Sequence, residues 1–197
     1  MIRLGLPVCD NSAFLKLLET RILGATIAAG FILATLPSVL AEPSSLNVHL
    51  ILVGSVSLQE GLAIQSILTL AFLIVFALID LCVMHWLAFG RQEWAVFAYR
   101  LNSVWAPLPF VLGTGSYLLL LIGRALPALA DSLLQRINSF LLLGFAFAIA
   151  GAILIEEGFS GRSRNLRSYL PLLLLGLLPY LVIFLMVLVA PVGWHLF

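Results

Sequence analysis

The chain has 197 residues, of which 62% are apolar and only 10% charged, against roughly 25% charged in an ordinary soluble domain. Mean hydropathy is +1.16. Ten Lys+Arg against nine Asp+Glu leave a net charge of +1, so no net field attracts polyanions and nucleic acid is not an expected partner. Together these figures exclude a soluble globular enzyme, a disordered chain and a nucleic-acid module. They indicate a polytopic membrane protein.

A helical span needs about 20 predominantly apolar residues, and the chain offers five such runs. Residues 1–21 precede them and read as an amphipathic interfacial segment. Asp10, Asn11 and Ser12 are each competent helix N-caps. Phe14, Leu15, Leu17, Leu18 and Ile22 then form an apolar stripe, with Lys16, Glu19 and Thr20 polar. Residues 22–197 form a single membrane domain. Its first span covers about 22–40, where small residues including Gly24 and Ala28 predict close packing inside the bundle. Pro37 is expected to bend or end this helix. Val39-Leu40-Ala41 before Glu42 resembles a leader cleavage site, but about 20 residues before the apolar run is long for a leader, so the uncut chain is the preferred reading.

Residues 47–58 are mildly apolar and β-branched, and are expected to lie on the membrane surface or cap the bundle. The second span covers 62–89, longer than a bilayer needs, and ends with His85 and Trp86 in an interfacial belt. Residues 90–107 predict a short interfacial helix. The third span covers 108–122, where Gly113 and Gly115 permit close packing or a kink. The fourth covers 137–155, with Gly144, Ala148 and Ala152 as a small-residue ridge. The loop 156–168 leads to the fifth span, 169–189. The predicted fold class is therefore all-α, a bundle of five transmembrane helices with short interfacial helices.

Basic residues set the orientation. With the N-terminus in the cytoplasm, Arg3, Lys16, Arg21, Arg91, Arg100, Arg162, Arg164 and Arg167 face inward, and Arg124 and Arg136 face out. The C-terminus is then outside. Short loops and a single lysine suit a prokaryotic inner membrane.

Asp80 is the residue most in need of explanation. It precedes Trp86 by about six residues, roughly 9 Å inside the interface at 1.5 Å per residue. A carboxylate there is costly unless paired or wetted. It is either a proton or cation site, or a structural partner of a neighbouring helix. The structural role is favoured, because no intramembrane base or second acid accompanies it in the sequence. Polar residues gather on the cytoplasmic side. Glu156 and Glu157 end the fourth span, Arg162 and Arg164 follow, and Arg91, Glu93, Arg100 and Asn102 lie beside them. They form either a solvated turn with local ion pairs or a docking patch. His49, His85 and His195 lie at unmatched positions, so no haem and no other cofactor is expected, and they lack metal-ligand spacing. Cys9 and Cys82 form no framework. Phosphate-loop, dinucleotide, nucleophile-elbow and zinc-protease motifs are missing from the sequence.

The run His85-Trp-Leu-Ala-Phe-Gly90 closes a span. Gln92-Glu-Trp-Ala-Val-Phe-Ala-Tyr-Arg100 follows, and Pro107 and Pro109 lie where the chain re-enters the membrane. This pattern, over residues 60–190, resembles the Yip family of five-span proteins, whose eukaryotic members interact with Rab/Ypt GTPases. The chain departs from those members in lacking a long cytoplasmic N-terminal domain, and looks more like the short prokaryotic members. The resemblance implies a membrane organiser or accessory subunit with no defined catalytic residues. The expected function is thus a non-enzymatic scaffold that assembles with other membrane subunits or with itself in the lipid bilayer. The alternative is a small transporter or channel that titrates Asp80, with Gln65, Ser66 and Thr69 continuing a path outward. An enzyme acting on lipids ranks last, because Glu156, Glu157 and His85 are too few for such a site.

Overall fold

The computed structural model describes residues 11–41, 47–50, 54–126, 139–159 and 166–189. The lead-in and first apolar run form one helix, α1 (Asn11–Ala41), which carries Pro37 in its interior. The hydroxyls of Thr35 and Ser38 donate to the carbonyls of Phe31 and Thr35, at 2.9 and 2.7 Å. They add side-chain bonds to the turn that the proline weakens. The β-branched stretch after it pairs as a hairpin. β1 (Asn47–Leu50) runs antiparallel to β2 (Gly54–Ser57), with Asn47 opposite Ser57 and Leu50 opposite Gly54. Both strands touch the next helix.

That helix, α2 (Leu58–Ala88), begins with a capping box. The Ser57 hydroxyl accepts from the Glu60 N–H, and the Glu60 carboxylate accepts from the Ser57 N–H. Replacing Ser57 by alanine is expected to cost about 1 kcal/mol, read as a lower melting temperature in detergent. The helix ends at a left-handed glycine. Gly90 has φ 71°, its N–H donates to Leu87 O, and the Arg91 N–H donates to Trp86 O at 2.9 Å. This double bond pattern is the Schellman stop that glycine permits.

The predicted short interfacial helix is longer than expected. α3 (Gln92–Trp105) continues through a π-helical segment (Leu108–Gly113) into α4 (Thr114–Ala125), and residues Gln92–Ala125 make one apolar helix of 34 residues. Pro107 and Pro109, read from the sequence as marking re-entry into the membrane, do not interrupt this helix. Instead the widened π turn accommodates them. Phe110 N–H still reaches Ala106 O at 3.3 Å, and the Thr114 hydroxyl donates to Pro109 O at 3.1 Å. Two further helices follow, α5 (Ser139–Phe159) and α6 (Leu166–Val189).

Among the described residues the fold is thus all-α apart from the small hairpin. Among the described residues, three helices are long and apolar enough to cross a membrane: Phe14–Ala41, Leu58–Ala88 and Gln92–Ala125. Leu141–Glu156 and Tyr169–Leu185 are shorter apolar helices. One core cluster joins α1, α2 and α4 through Ile32, Leu62, Phe76, Tyr117 and Leu120. A second joins α3, the π segment, α5 and α6 through Val104, Leu112, Ala150 and Tyr180. Large side chains such as Ile27, Ile67, Phe145 and Leu174 point outward, as helices facing lipid require.

Two packing expectations need correction. α1 does not pack inside the helix assembly. It lies at the edge, mainly against α2, and a Cβ at Gly24 would meet nothing within 4 Å. Its inward face carries Leu18, Ala25, Ile32 and Val39, with partly buried neighbours, Ala28 among them. The α5 ridge also points away: Ala148 and Ala152 are exposed, and Gly144 has open space at its Cβ. The inward stripe of α5 is Leu143, Ala146, Ala150 and Leu154, in one cluster with Leu108 and Leu112. Alternating large and small residues fill that interface better than a purely small ridge. Gly113 does pack closely, against Thr69.

Candidate functional site: a buried ion pair between three helices

The antiparallel packing of α1 on α2 fixes which polar residues meet. At one end Leu18 of α1 shares a cluster with Val83 of α2. At the other, Gln59 of α2 donates to Leu40 O of α1 at 2.5 Å. One turn along from Leu18, Arg21 therefore arrives beside Asp80. Arg21 Nε lies 2.9 Å from Asp80 Oδ2, with the carboxylate fully buried and the arginine side chain 15% exposed. Asn102 of α3 completes the contact. Its Nδ2 donates to Asp80 Oδ1 at 2.8 Å and to Phe76 O at 3.0 Å.

The guanidinium makes further contacts with α2 and α3. Nη1 donates to the Ser103 hydroxyl at 2.7 Å, and Ser103 in turn donates to Tyr99 O. The rings of Phe76 and Tyr99 lie 4.9 and 4.7 Å from the guanidinium carbon, within cation–π range. Nη2 is buried without a hydrogen-bond partner among the described residues. Arg21, Gly24, Phe76, Ser103, Ala106, Phe110 and Ile153 line an open cleft of about 310 Å³ beside this cluster.

A second polar group lies further along α2. Gln65 Nε2 donates to Gly113 O at 3.3 Å, and the Thr69 hydroxyl donates to Gln65 O at 2.7 Å. Gln65 Oε1 and Ser116 Oγ are buried with no partner among the described residues. Leu73 and Phe76, both buried, sit between this group and Asp80 on the same face of α2.

Asp80 does not lack a base, because Arg21 supplies it from within α1 rather than from a surface lead-in. Asn102 does not belong to a docking patch: it is 1% exposed and bonded to Asp80. His85 is exposed, with its ring 4.5 Å from that of Phe89. Arg91 and Glu93 are exposed at the start of α3, Arg100 is half-buried, and Glu156 is exposed on α5. The Glu157 side chain, Arg162 and Arg164 lie outside the described residues. Among the described residues no group of three or more His, Cys, Asp or Glu is placed to hold a metal.

Comparison with protein-family models, curated proteins and solved structures gives no match.

Proposed function

We propose that this chain is a non-enzymatic integral membrane scaffold or accessory subunit. In this reading it is a short Yip-like protein with five spans in a prokaryotic inner membrane, N-terminus inside and C-terminus outside. The observation that carries the reading is the enclosure of Asp80. The acid is already held by Arg21 and Asn102, and apolar Leu73 and Phe76 separate it from the polar group at Gln65. A relay needs a wetted or exchangeable partner, and this acid is paired, while the apolar pair interrupts the polar path. The surfaces offered to partners are the outward Gly144, Ala148 and Ala152 of α5, and the exposed polar residues Arg91, Glu93 and Glu156. Gentle-detergent affinity purification, with mass spectrometry and a blue-native gel, tests this. A stoichiometric membrane partner or a defined homo-oligomer is expected. A stable monomer that co-isolates with nothing contradicts the proposal.

The second reading, a small transporter or channel, draws on Gln65 Oε1 and Ser116 Oγ, which have no partner among the described residues. It requires proteoliposome flux that falls in Asp80→Asn. No dependence of flux on Asp80 is expected.

A further inference from the structure

The outward face of α2 changes character at both ends. Ile67, Ala71, Ile74, Leu78 and Leu81 are exposed at helical spacing. Exposed Glu60 precedes them and exposed His85 follows. From Glu60 to His85 is about 37 Å at 1.5 Å per residue, enough to contain a hydrocarbon core of about 30 Å. α1 agrees at both levels. Leu18, next to exposed Glu19, shares a cluster with Val83, and Leu40 O accepts from Gln59. On the reading of this chain as membrane-embedded, one hydrocarbon boundary therefore lies at the level of His85. Phe89 follows about 6 Å further along, within a headgroup layer of about 5–8 Å. The chain turns there on Gly90. Phe89 and Trp94 flank the turn and are 70% and 66% exposed, more than any other large apolar side chain among the described residues. Arg91, Gln92 and Glu93 between them are exposed as well. Water suits these charges but not the rings, and hydrocarbon suits the rings but not the charges. A headgroup layer accepts both, and indole most of all. Two other tryptophans are engaged within the protein: Trp86 packs against the Leu18–Val83 cluster, and Trp105 Nε1 donates to Leu175 O at 3.2 Å.

We infer that the α2–α3 turn is an anchor in the phospholipid headgroup layer, with Phe89 and Trp94 among the glycerol and upper acyl carbons and Arg91 and Glu93 toward water. The partner is the lipid surface itself. No single lipid species is selected, since Arg91 and Glu93 cancel in charge. The anchor sets how far α2 and α3 extend through the bilayer. Asp80, five residues before His85, then lies about 7 Å inside the hydrocarbon boundary. The inference rests on the membrane-embedded part of the proposed function and adds where the bilayer sits on the chain.

Depth-dependent fluorescence quenching tests it. The full chain is reconstituted in phosphatidylcholine vesicles that carry a nitroxide either on the headgroup or midway along the acyl chain. Trp94 emission is the difference between the wild type and Trp94→Phe, a change at an exposed side chain that leaves Trp105 in place. Ile74→Trp is the depth control, exposed on the outward face of α2 and about 16 Å from His85. Its added emission is taken against the wild type. The headgroup nitroxide is expected to quench Trp94 about threefold more strongly than the acyl nitroxide, and the order is expected to reverse for Ile74→Trp. Three results overturn the anchor. Trp94 emission quenched by aqueous iodide as fully as free tryptophan amide places the turn in water. Equal or stronger quenching by the acyl nitroxide places it in hydrocarbon. Shielding from all three quenchers means that a protein surface covers it. If Ile74→Trp also escapes the acyl nitroxide, the membrane-embedded reading fails too. If Ile74→Trp behaves as expected and Trp94 does not, the anchor alone fails.

Discussion

Arg21→Met is expected to destabilise the detergent-solubilised protein by about 3–5 kcal/mol, because it leaves the Asp80 carboxylate buried and uncompensated. Asp80→Leu is expected to cost a similar amount, since Arg21 then loses its counter-charge and Asn102 loses its acceptor. The double variant Arg21→Met/Asp80→Leu is expected to recover most of that loss. An apolar pair of similar volume removes the desolvation penalty that the ion pair carries, and such replacements are often neutral or stabilising. Thermal denaturation of the four proteins in one detergent gives the coupling energy directly. Additive losses in the double variant would mean that Arg21 and Asp80 do not act as a pair. A structural pin predicts coupling; a titrating site with an incidental neighbour does not.

Gly113→Ala is the second large effect. A Cβ at Gly113 would lie 2.7 Å from Thr69 Cγ2 and 2.9 Å from its Oγ1. Thr69 cannot yield easily. It is fully buried, its β-branched side chain is stiff about χ1, and its hydroxyl is bonded to Gln65 O. The overpacking is expected to cost about 1–3 kcal/mol. Thr69→Ala should relieve it, so Gly113→Ala/Thr69→Ala should melt above Gly113→Ala alone. If Gly113→Ala melts like the wild type, α2 and the π segment are further apart than described.

Much of the helical layout was legible in the sequence because it follows from local chemistry. The apolar runs placed α1, α2, α5 and α6. The cap residues before Phe14 anticipated that α1 begins early, and the glycine at position 90 marked the end of α2. Gly113 signalled close approach, since a glycine in an apolar helix removes the side chain that keeps neighbours apart. The hairpin announced itself only as a β-branched stretch, because two four-residue strands carry little period.

Relations between helices were not legible. Arg21 looked like part of a basic lead-in, and only the register of α1 against α2 brings it level with Asp80. Asn102 looked like a polar residue of a loop-side patch, because its burial depends on α3 lying against α2. The prolines at 107 and 109 marked where the chain re-enters the membrane, but not the π segment that carries α3 into α4 there. The ridge on α5 shows the same limit. Periodicity identifies faces of a helix, but two faces of α5 carry small residues, and neighbouring bulk decides which one turns inward. The available signal for the ion pair was charge complementarity: an intramembrane acid and an arginine at the edge of another span are an economical pair.

The measurement that bears most directly on the account is affinity purification of wild type and Arg21→Met/Asp80→Leu from the same native membrane. Melting temperature and blue-native migration are recorded for both. The expected result is that the double variant folds and co-isolates the same partner, or the same homo-oligomer, at the wild-type ratio. In that case the charges serve the fold and the surfaces serve the function. A double variant that folds with wild-type stability but loses its assembly, or loses an ion flux the wild type supports, would contradict the account and make Asp80 a working group.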